Sequence, residues 1–413
     1  MNMNETPSAN RVHIGIFGRR NVGKSSIINA VTGQNIAIVS EIKGTTTDPV
    51  SKAMELLPLG PVVLIDTPGL DDEGELGKKR IEKSYQVLNK TDIAVLVLDG
   101  TYLPDKEELE KIEKPLLKQF RDRNIPYVIT VNKSEDLTDE RKQSFVDGFD
   151  QENNLLFISA KSGINIQKLK NSIANLSFEE KIDRKIVGDL LKNGDIVVLV
   201  IPIDSSAPKG RLILPQQQVI RDCLESGAVP VVTRDTELNE TLHALAKKPK
   251  VVITDSQAFQ CVSEIIPDDM FLTSFSILFS RYKGNLVQQV SGAKAIRTLK
   301  EKDVVLISEG CTHHRQCEDI GTVKMPRWIK NYTGKEIEFQ FTSGTQFPDN
   351  LKEYALIVHC GGCTLNEREM NYRLKCAREQ KVPITNYGLA IADMNGILDR
   401  SLMIFQKHSQ EEL

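Results

Sequence analysis

The sequence predicts an α/β protein of three domains, spanning residues 11–176, 186–269 and 270–413. Three observations carry that prediction. At 413 residues the chain exceeds one ordinary domain. Short apolar runs alternate with amphipathic stretches, the pattern of mostly parallel strands buried on both faces with helices between them. The charged stretch Phe178-Glu179-Glu180-Lys181-Ile182-Asp183-Arg184-Lys185 interrupts the alternation and marks a boundary.

In the first domain, Val12-His13-Ile14-Gly15-Ile16-Phe17 reads as a buried strand, followed by a glycine loop and a helix from Lys24. Runs at 62–66, 93–99, 127–132 and 155–159 read as further strands. In the small middle domain, strands are expected at 195–200, 229–232 and 250–254, separated by helices at 215–225, 238–246 and 257–265. No loop chemistry stands out there, which leaves a structural role or self-association. The third domain begins near Met270. Its strand at 303–307 leads through Ser308-Glu309-Gly310 into Cys311, and its strand at 354–358 runs directly into His359 and Cys360. Ligands of open α/β sheets gather at the carboxyl ends of parallel strands, so both cysteine segments sit where a ligand site belongs. No internal sequence repeat is evident.

Gly18-Arg19-Arg20-Asn21-Val22-Gly23-Lys24-Ser25 fits G-x-x-x-x-G-K-[ST], between a strand and a helix as the motif requires. Its glycines let backbone N–H groups face phosphates, with Asn21, Val22 and Ser26 completing the lining. Lys24 places a cation near the β and γ oxygens, Ser25 offers an oxygen to Mg²⁺, and the helix N-terminus adds its dipole. Thr46, within Gly44-Thr45-Thr46-Thr47-Asp48, can also reach Mg²⁺. Asp66, in Asp66-Thr67-Pro68-Gly69, ends a strand and can reach the Mg²⁺ shell while the Gly69 N–H senses a γ-phosphate. Lys24, Thr46, Asp66 and Gly69 are the candidate catalytic group. Asn132-Lys133-Ser134-Glu135 and Ser159-Ala160-Lys161 end later strands and suit guanine recognition. Each pattern alone is short; five in this order argue for a site that binds GTP and GDP.

On these motifs the first domain resembles the translation-factor-related GTPases, especially the Era and TrmE-like branch. Leu70 follows Asp-x-x-Gly where Ras-like proteins have a catalytic glutamine, so the resemblance implies slow turnover with water oriented by other means. Asn21 stands where potassium-activated members help hold K⁺ beside the phosphates, which implies stimulation by K⁺. One departure stands out. The guanine-reading motif normally ends in Asp, and Glu135 carries its carboxylate one methylene further out.

Cys311-x-His313, then 45 residues, then His359-Cys360-x-x-Cys363 is sparse but chemically loaded. Thiolates suit Zn²⁺ or an iron–sulfur cluster. The second Cys-x-x-Cys of a structural zinc site is missing, and Gly361 and Gly362 leave N–H groups free to approach cluster sulfides. Behind a TrmE-like domain and a middle α/β domain, this pattern resembles the maturation GTPases of [FeFe]-hydrogenases, the HydF family, over essentially the whole chain. The resemblance implies a [4Fe–4S] cluster on Cys311, Cys360 and Cys363. It also implies a diiron precursor cluster as cargo, radical-SAM maturases as its source and apo-[FeFe]-hydrogenase as its recipient. A homodimer or larger assembly through the middle domain is expected. For the fourth cluster ligand, His313, His359 and Glu318 compete, with His314 and Cys317 on the same loop as Cys311. Cys223, Cys261 and Cys376 fall in helical stretches and read as small core residues; Trp328 and Tyr332, at helical spacing, read as core aromatics.

A formal net charge of −3 argues against a nucleic-acid partner. The one notable basic run, Lys247-Lys248-Pro249-Lys250, reads as a solvated helix end. No apolar stretch approaches the roughly 20 residues of a membrane span, and residues 1–10 lack a signal-peptide core. A cytoplasmic protein with reduced thiols is therefore expected, its seven cysteines being ligands plus spares. Two functions compete on these grounds. One is a GTPase scaffold for metallocofactor assembly; the alternative is an RNA- or ribosome-associated GTPase with structural zinc. A catalytic cysteine site lacks a nearby acid–base set.

Overall fold

The computed structural model describes residues 6–33, 49–71, 74–149, 155–176, 184–203, 212–310 and 319–411. They fall into two compact units, Met1–Ile182 and Asp183–Leu413.

The first unit contains β1 (Val12–Gly18), α1 (Lys24–Thr32), β2 (Val50–Leu56), β3 (Gly60–Asp66), α2 (Gly74–Leu88), β4 (Ile93–Asp99), α3 (Lys106–Lys111), α4 (Glu113–Asp122), β5 (Tyr127–Asn132), α5 (Asp139–Gly148), β6 (Leu155–Phe157) and α6 (Ile166–Leu176). The sheet order is β2-β3-β1-β4-β5-β6, with β2 antiparallel to β3 and the other pairs parallel. Both faces are covered. Ile14, Ile16, Val95 and Val97 pack with Ile27 and Ile28 of α1 and Leu169 and Ile173 of α6. Phe17, Leu96, Leu98 and Ile129 meet Val87 of α2, Phe120 of α4 and Phe145 of α5. Burial on two faces is why β1, β4 and β5 are near-continuous apolar runs in the sequence, broken only by the buried His13 and Thr130 before their polar ends. β2 is the edge strand, mostly exposed or half-buried, and carries no such run. Strand β1 lies between β3 and β4, where the winding reverses, so the loop after β1 opens on the crevice at the carboxyl edge.

The second unit contains β7 (Ile196–Val200), α7 (Leu214–Glu225), β8 (Val229–Thr233), α8 (Leu238–Ala244), β9 (Val251–Thr254), α9 (Phe259–Ile265), β10 (Phe271–Ser274), α10 (Phe275–Lys283), α11 (Leu286–Lys294), β11 (Val304–Glu309), α12 (Met325–Thr333), β12 (Glu338–Ser343), β13 (Leu356–His359), α13 (Glu367–Glu379), β14 (Ile384–Asn386), α14 (Tyr387–Met394) and α15 (Leu398–Glu411). They form two four-stranded parallel sheets, β10-β9-β7-β8 and β12-β11-β13-β14. In each, the first strand has the second on one side and the third and fourth on the other. The unit thus repeats one winding without repeating sequence, which is why residues alone reveal no repeat.

β10 corrects the expected boundary at Met270. Phe271–Ser274 is the edge strand of the first of these sheets, with Thr273 beside Ile253. It is four residues long and passes straight into α10, whose Ile277 N–H is capped by the Ser274 hydroxyl, so it leaves no strand-length pattern. α14 joins the two sheets. Leu389 and Ala392 lie in the core around β7 and β9, while Tyr387, Ala390 and Ile391 lie in the core around β11 and β13. A helix apolar around its circumference has to be buried on all sides.

Several peripheral expectations change. Cys223 is buried on α7, and burial pushes its thiol up to about 12. Cys376 is half-buried, whereas Cys261 on α9 is exposed and is not a core residue. Trp328 packs on the third sheet's core, but Tyr332 is 39 % exposed. The basic run lies beyond the end of α8, with Lys248 paired to Asp269. Among the described residues no helix is long and apolar enough to cross a membrane.

Candidate nucleotide and cysteine sites

α1 begins at Lys24 without a side-chain cap, so its first N–H groups are open to an anion. Gly23, which precedes it, has φ +92°, and a Cβ there would stand 2.2 Å from Asn132 Nδ2; only glycine meets both demands. Asn132 Nδ2 donates to the Val22 carbonyl at 2.9 Å, and its Oδ1 accepts from the Ala160 N–H at 3.0 Å. One side chain thereby fixes the phosphate loop, the end of β5 and the loop after β6 relative to one another. Asn21 is exposed, in the left-handed region at φ +59°.

Lys24 is 8 % exposed and donates to the Arg19 carbonyl at 2.7 Å and the Gly18 carbonyl at 3.1 Å. The Ser25 hydroxyl donates to Asp66 Oδ2 at 2.5 Å. Asp66 Oδ1 is buried and has no hydrogen-bond partner among the described residues. Burial pushes the Asp66 carboxyl above the usual carboxylate range, against the pull of the Ser25 hydroxyl and the Lys24 ammonium. A hard oxygen donor set with one orphaned carboxylate oxygen fits Mg²⁺. Thr46 lies outside the described residues.

The segment after β3 lies directly against the phosphate loop. A Cβ on Gly69 would stand 2.2 Å from Arg20 Cγ, Asp71 Oδ1 accepts from the Arg20 N–H at 2.6 Å, and Ser84 of α2 donates to the Pro68 carbonyl at 3.1 Å. Arg19 reaches away from this face to grip Glu113 at 2.7 and 3.0 Å, a bidentate pair anchoring the loop on α4. Neither Asp71 nor Glu113 stands out in the sequence, because isolated acids in helical or loop stretches read as surface charge.

At the guanine end, Lys133 donates to Asp99 at 2.5 Å. The Ser159 hydroxyl, aided by the local backbone, Lys161 and Lys133, holds the exposed Glu135 carboxyl below its usual range. Glu135→Asp is expected to tighten GTP binding about 3- to 10-fold, part of the worth of one charge-assisted hydrogen bond. Calorimetry giving equal or weaker binding would remove Glu135 from the guanine site.

The cysteine site lies at the winding reversal of the last sheet, between β11 and β13, where Ser308 stands beside His359. Cys360 Sγ accepts from the Gly310 N–H at 3.0 Å and the Gly362 N–H at 3.4 Å. Gly362 has φ +62°, and a Cβ there would meet Met370 Sδ at 2.7 Å. Burial, then Cys360, pushes the Cys363 thiol above its usual range, while Lys283 pulls the other way. Cys311, His313 and Glu318, with His314 and Cys317, lie outside the described residues. Among the described residues no three metal-binding side chains gather. The two thiols in place, one already receiving N–H bonds, are soft donors that fit a cluster iron.

His359 is placed differently from a metal ligand. It is 1 % exposed; Nδ1 is 2.7 Å from the Cys360 carbonyl and Nε2 is 2.9 Å from Arg373 Nη1. A guanidinium only donates, so Nε2 accepts and Nδ1 carries the proton; neither nitrogen is left for a metal. Arg373, fully buried, also bonds Glu369, Ser308 Oγ at 3.2 Å and the Gly344 carbonyl at 2.7 Å. It thus ties together the carboxyl ends of β11, β12 and β13. Beside it, the Tyr387 hydroxyl donates to the buried Glu309 at 3.2 Å, and burial, with Cys360 and Glu309 adding to it, pushes that hydroxyl far above the usual range. Lys283 enters from α10, donating to the Leu365 carbonyl at 3.0 Å. Burial pulls its ammonium down to about 8, against Cys363, Glu367 and Cys360. The sequence hides these groups. Glu369 and Arg373 have the i, i+4 spacing of a solvated helical pair, and Lys283 reads as an ordinary helix C-terminus.

Comparison with known proteins agrees with the two-part character. Residues 13–133 match the family model described as 50S ribosome-binding GTPase. GTPase Der of Kosmotoga olearia is 32 % identical over 192 residues, covering 44 % of this chain and 41 % of that protein. The tRNA modification GTPase MnmE of Clostridioides difficile is 30 % identical over 184 residues, covering 44 % and 36 %. The chain thus spans less than half the length of these curated relatives. Among solved structures, Era of Aquifex aeolicus bound to GDP·AlF4⁻ aligns at 20 % identity and a TM-score of 0.34, covering 57 % of this chain and 98 % of that one. Residues 186–284 match the hydrogen maturase F dimerization domain, and residues 287–404 match the hydrogen maturase F tetramerization domain. Those two models together take in more than half of the chain; with its N-terminal GTPase domain, it belongs to the HydF family of hydrogenase maturation proteins.

Proposed function

We propose that this chain is a GTP-hydrolysing scaffold that carries a [4Fe–4S] cluster on Cys311, Cys360 and Cys363. Its substrate is a diiron precursor cluster, received from radical-SAM maturases and passed to apo-[FeFe]-hydrogenase in the cytoplasm. The division of labour follows the chain: nucleotide binding in 11–176, self-association in 186–269 extended to include β10, and the cluster in the remainder up to 413. The observation that carries this reading is the Cys360 sulfur, held by two backbone N–H groups at the winding reversal of a sheet, in one chain with a phosphate loop.

In the nucleotide unit, Mg²⁺ when bound supplies charge neutralisation at the β and γ oxygens. Lys24 turns its ammonium from loop carbonyls to phosphate, Ser25 and Asp66 hold oxygens at the cation, and the Gly69 N–H reports the γ-phosphate. Asn132, Lys133, Glu135 and the 159–161 loop hold the base. With Leu70 after Gly69 there is no glutamine to orient water, so turnover is slow, and Asn21 makes it faster in K⁺ than in Na⁺. In the cysteine unit, the cluster supplies an iron with one exchangeable position. His359 and Arg373 hold the segment that presents Cys360, which leaves His313 and Glu318 as the contenders for that position. GTP state biases docking of the recipient or release of the cargo.

The test is activation. Chain loaded by the maturases should activate apo-hydrogenase, and Cys360→Ala should abolish this while GTP turnover persists. Activation undiminished in Cys360→Ala would sink the scaffold reading, and equal turnover in Na⁺ and K⁺ would remove the K⁺ role of Asn21.

A further inference from the structure

Lys283 closes α10, a helix of the second sheet, and is 4 % exposed. An ammonium taken out of water is costly unless an anion answers it. Its Nζ donates to the Leu365 carbonyl at 3.0 Å and to the Gly362 carbonyl at 3.5 Å, and stands 5.5 Å from the centre of the Phe279 ring. These groups solvate a cation but carry no net charge. Glu367, at the start of α13, is engaged by Arg184 at 2.5 Å. Among the described residues, Cys363 and Cys360 are the other titratable groups that act on the ammonium. Both bonded carbonyls, moreover, belong to the turn on which those two cysteines stand.

We propose that Lys283 is the counter-cation and anchor of the cysteine site. It is a positioning residue that holds the 360–365 segment by two carbonyls and whose charge favours the reduced form of a cluster bound there. The proposal rests on the cluster reading above. It would explain why a lysine is kept in a dry pocket: a cluster bound on that turn would supply the negative charge that the two carbonyls lack. Lys283 is on a helix of the neighbouring sheet, so its side chain ties the packing of that sheet to the cysteine turn. Cluster potentials respond to net charge and to hydrogen bonding near the sulfurs, so the role has a direct readout.

The test uses the full chain with Lys283→Met, which removes donor and charge, and Lys283→Gln, which keeps a donor. Each is reconstituted anaerobically with iron and sulfide and titrated with dithionite under EPR. Both variants should shift the one-electron equilibrium about tenfold toward the oxidised cluster, 59 mV lower. Lys283→Met should also surrender iron to a chelator about tenfold faster, the loss typical of an outer-shell partner. An unmoved potential in Lys283→Gln overturns the proposal, even if Lys283→Met fails to fold. A wild-type chain that takes up no cluster overturns the cluster reading and this proposal together; a wild-type cluster with unmoved variant potentials overturns this proposal alone.

Discussion

Asp66→Ala is expected to lower kcat for GTP hydrolysis about 10²- to 10³-fold, the usual cost of removing one preorganised electrostatic group. The carboxylate ends β3 at 4 % exposure, with one oxygen on Ser25 and the other buried without a partner among the described residues. That arrangement is costly for an empty site and favourable around a divalent cation. Asp66→Asn separates the two contributions, because it keeps the shape and loses the charge. Burial holds the carboxyl above its unfolded value, so the folded unit binds more protons there than the unfolded chain does. The group therefore destabilises the cation-free protein as pH rises through the carboxylate range. At neutral pH without Mg²⁺, Asp66→Asn should melt at or above the wild-type temperature while its turnover collapses. Turnover within about threefold of wild type in both variants would exclude Asp66 from the site.

Arg373→Met should destabilise the second unit by about 3–5 kcal/mol, the cost of leaving a buried charge without its partner. Glu369, 3 % exposed, would lose the guanidinium that answers it, and Ser308, His359 and the Gly344 carbonyl would lose a donor. For a unit of this size the melting temperature should fall by roughly 10 °C. Arg373→Met combined with Glu369→Gln should recover a large part of the loss, since the remaining carboxylate charge is removed as well. A single variant melting within about 2 °C of wild type would show that Arg373 does not hold the strand ends together.

What the residues disclose and what they hide follows from burial. β1, β4 and β5 are legible because burial on both faces writes near-continuous apolar runs, and the phosphate loop because Gly23 answers a backbone demand that no other residue meets. The cysteine segments are legible because β11 and β13 lead straight into them. β2 and β10 are hidden, the first being a mostly polar edge and the second only four residues long. The repeated winding of the second unit is hidden because strand order belongs to the contacts between strands. Lys283 and Arg373 are the instructive cases. A charged residue on a helix reads as solvated unless its partner is known, and their partners lie 79 and 14 residues away at Gly362 and His359. His359 looked like a ligand by its place beside Cys360, but its two nitrogens serve a neighbouring carbonyl and that arginine.

In the function proposed above, the three cysteines hold an iron–sulfur cluster in the same chain as a GTP site. The most direct test is anaerobic reconstitution of the full chain with iron and sulfide, followed by metal analysis, absorption and EPR. A cluster on these cysteines gives a brown protein with about four iron atoms per chain and a paramagnetic signal on reduction. A colourless protein carrying one zinc per chain would contradict it and favour a ribosome-associated GTPase with a structural zinc site.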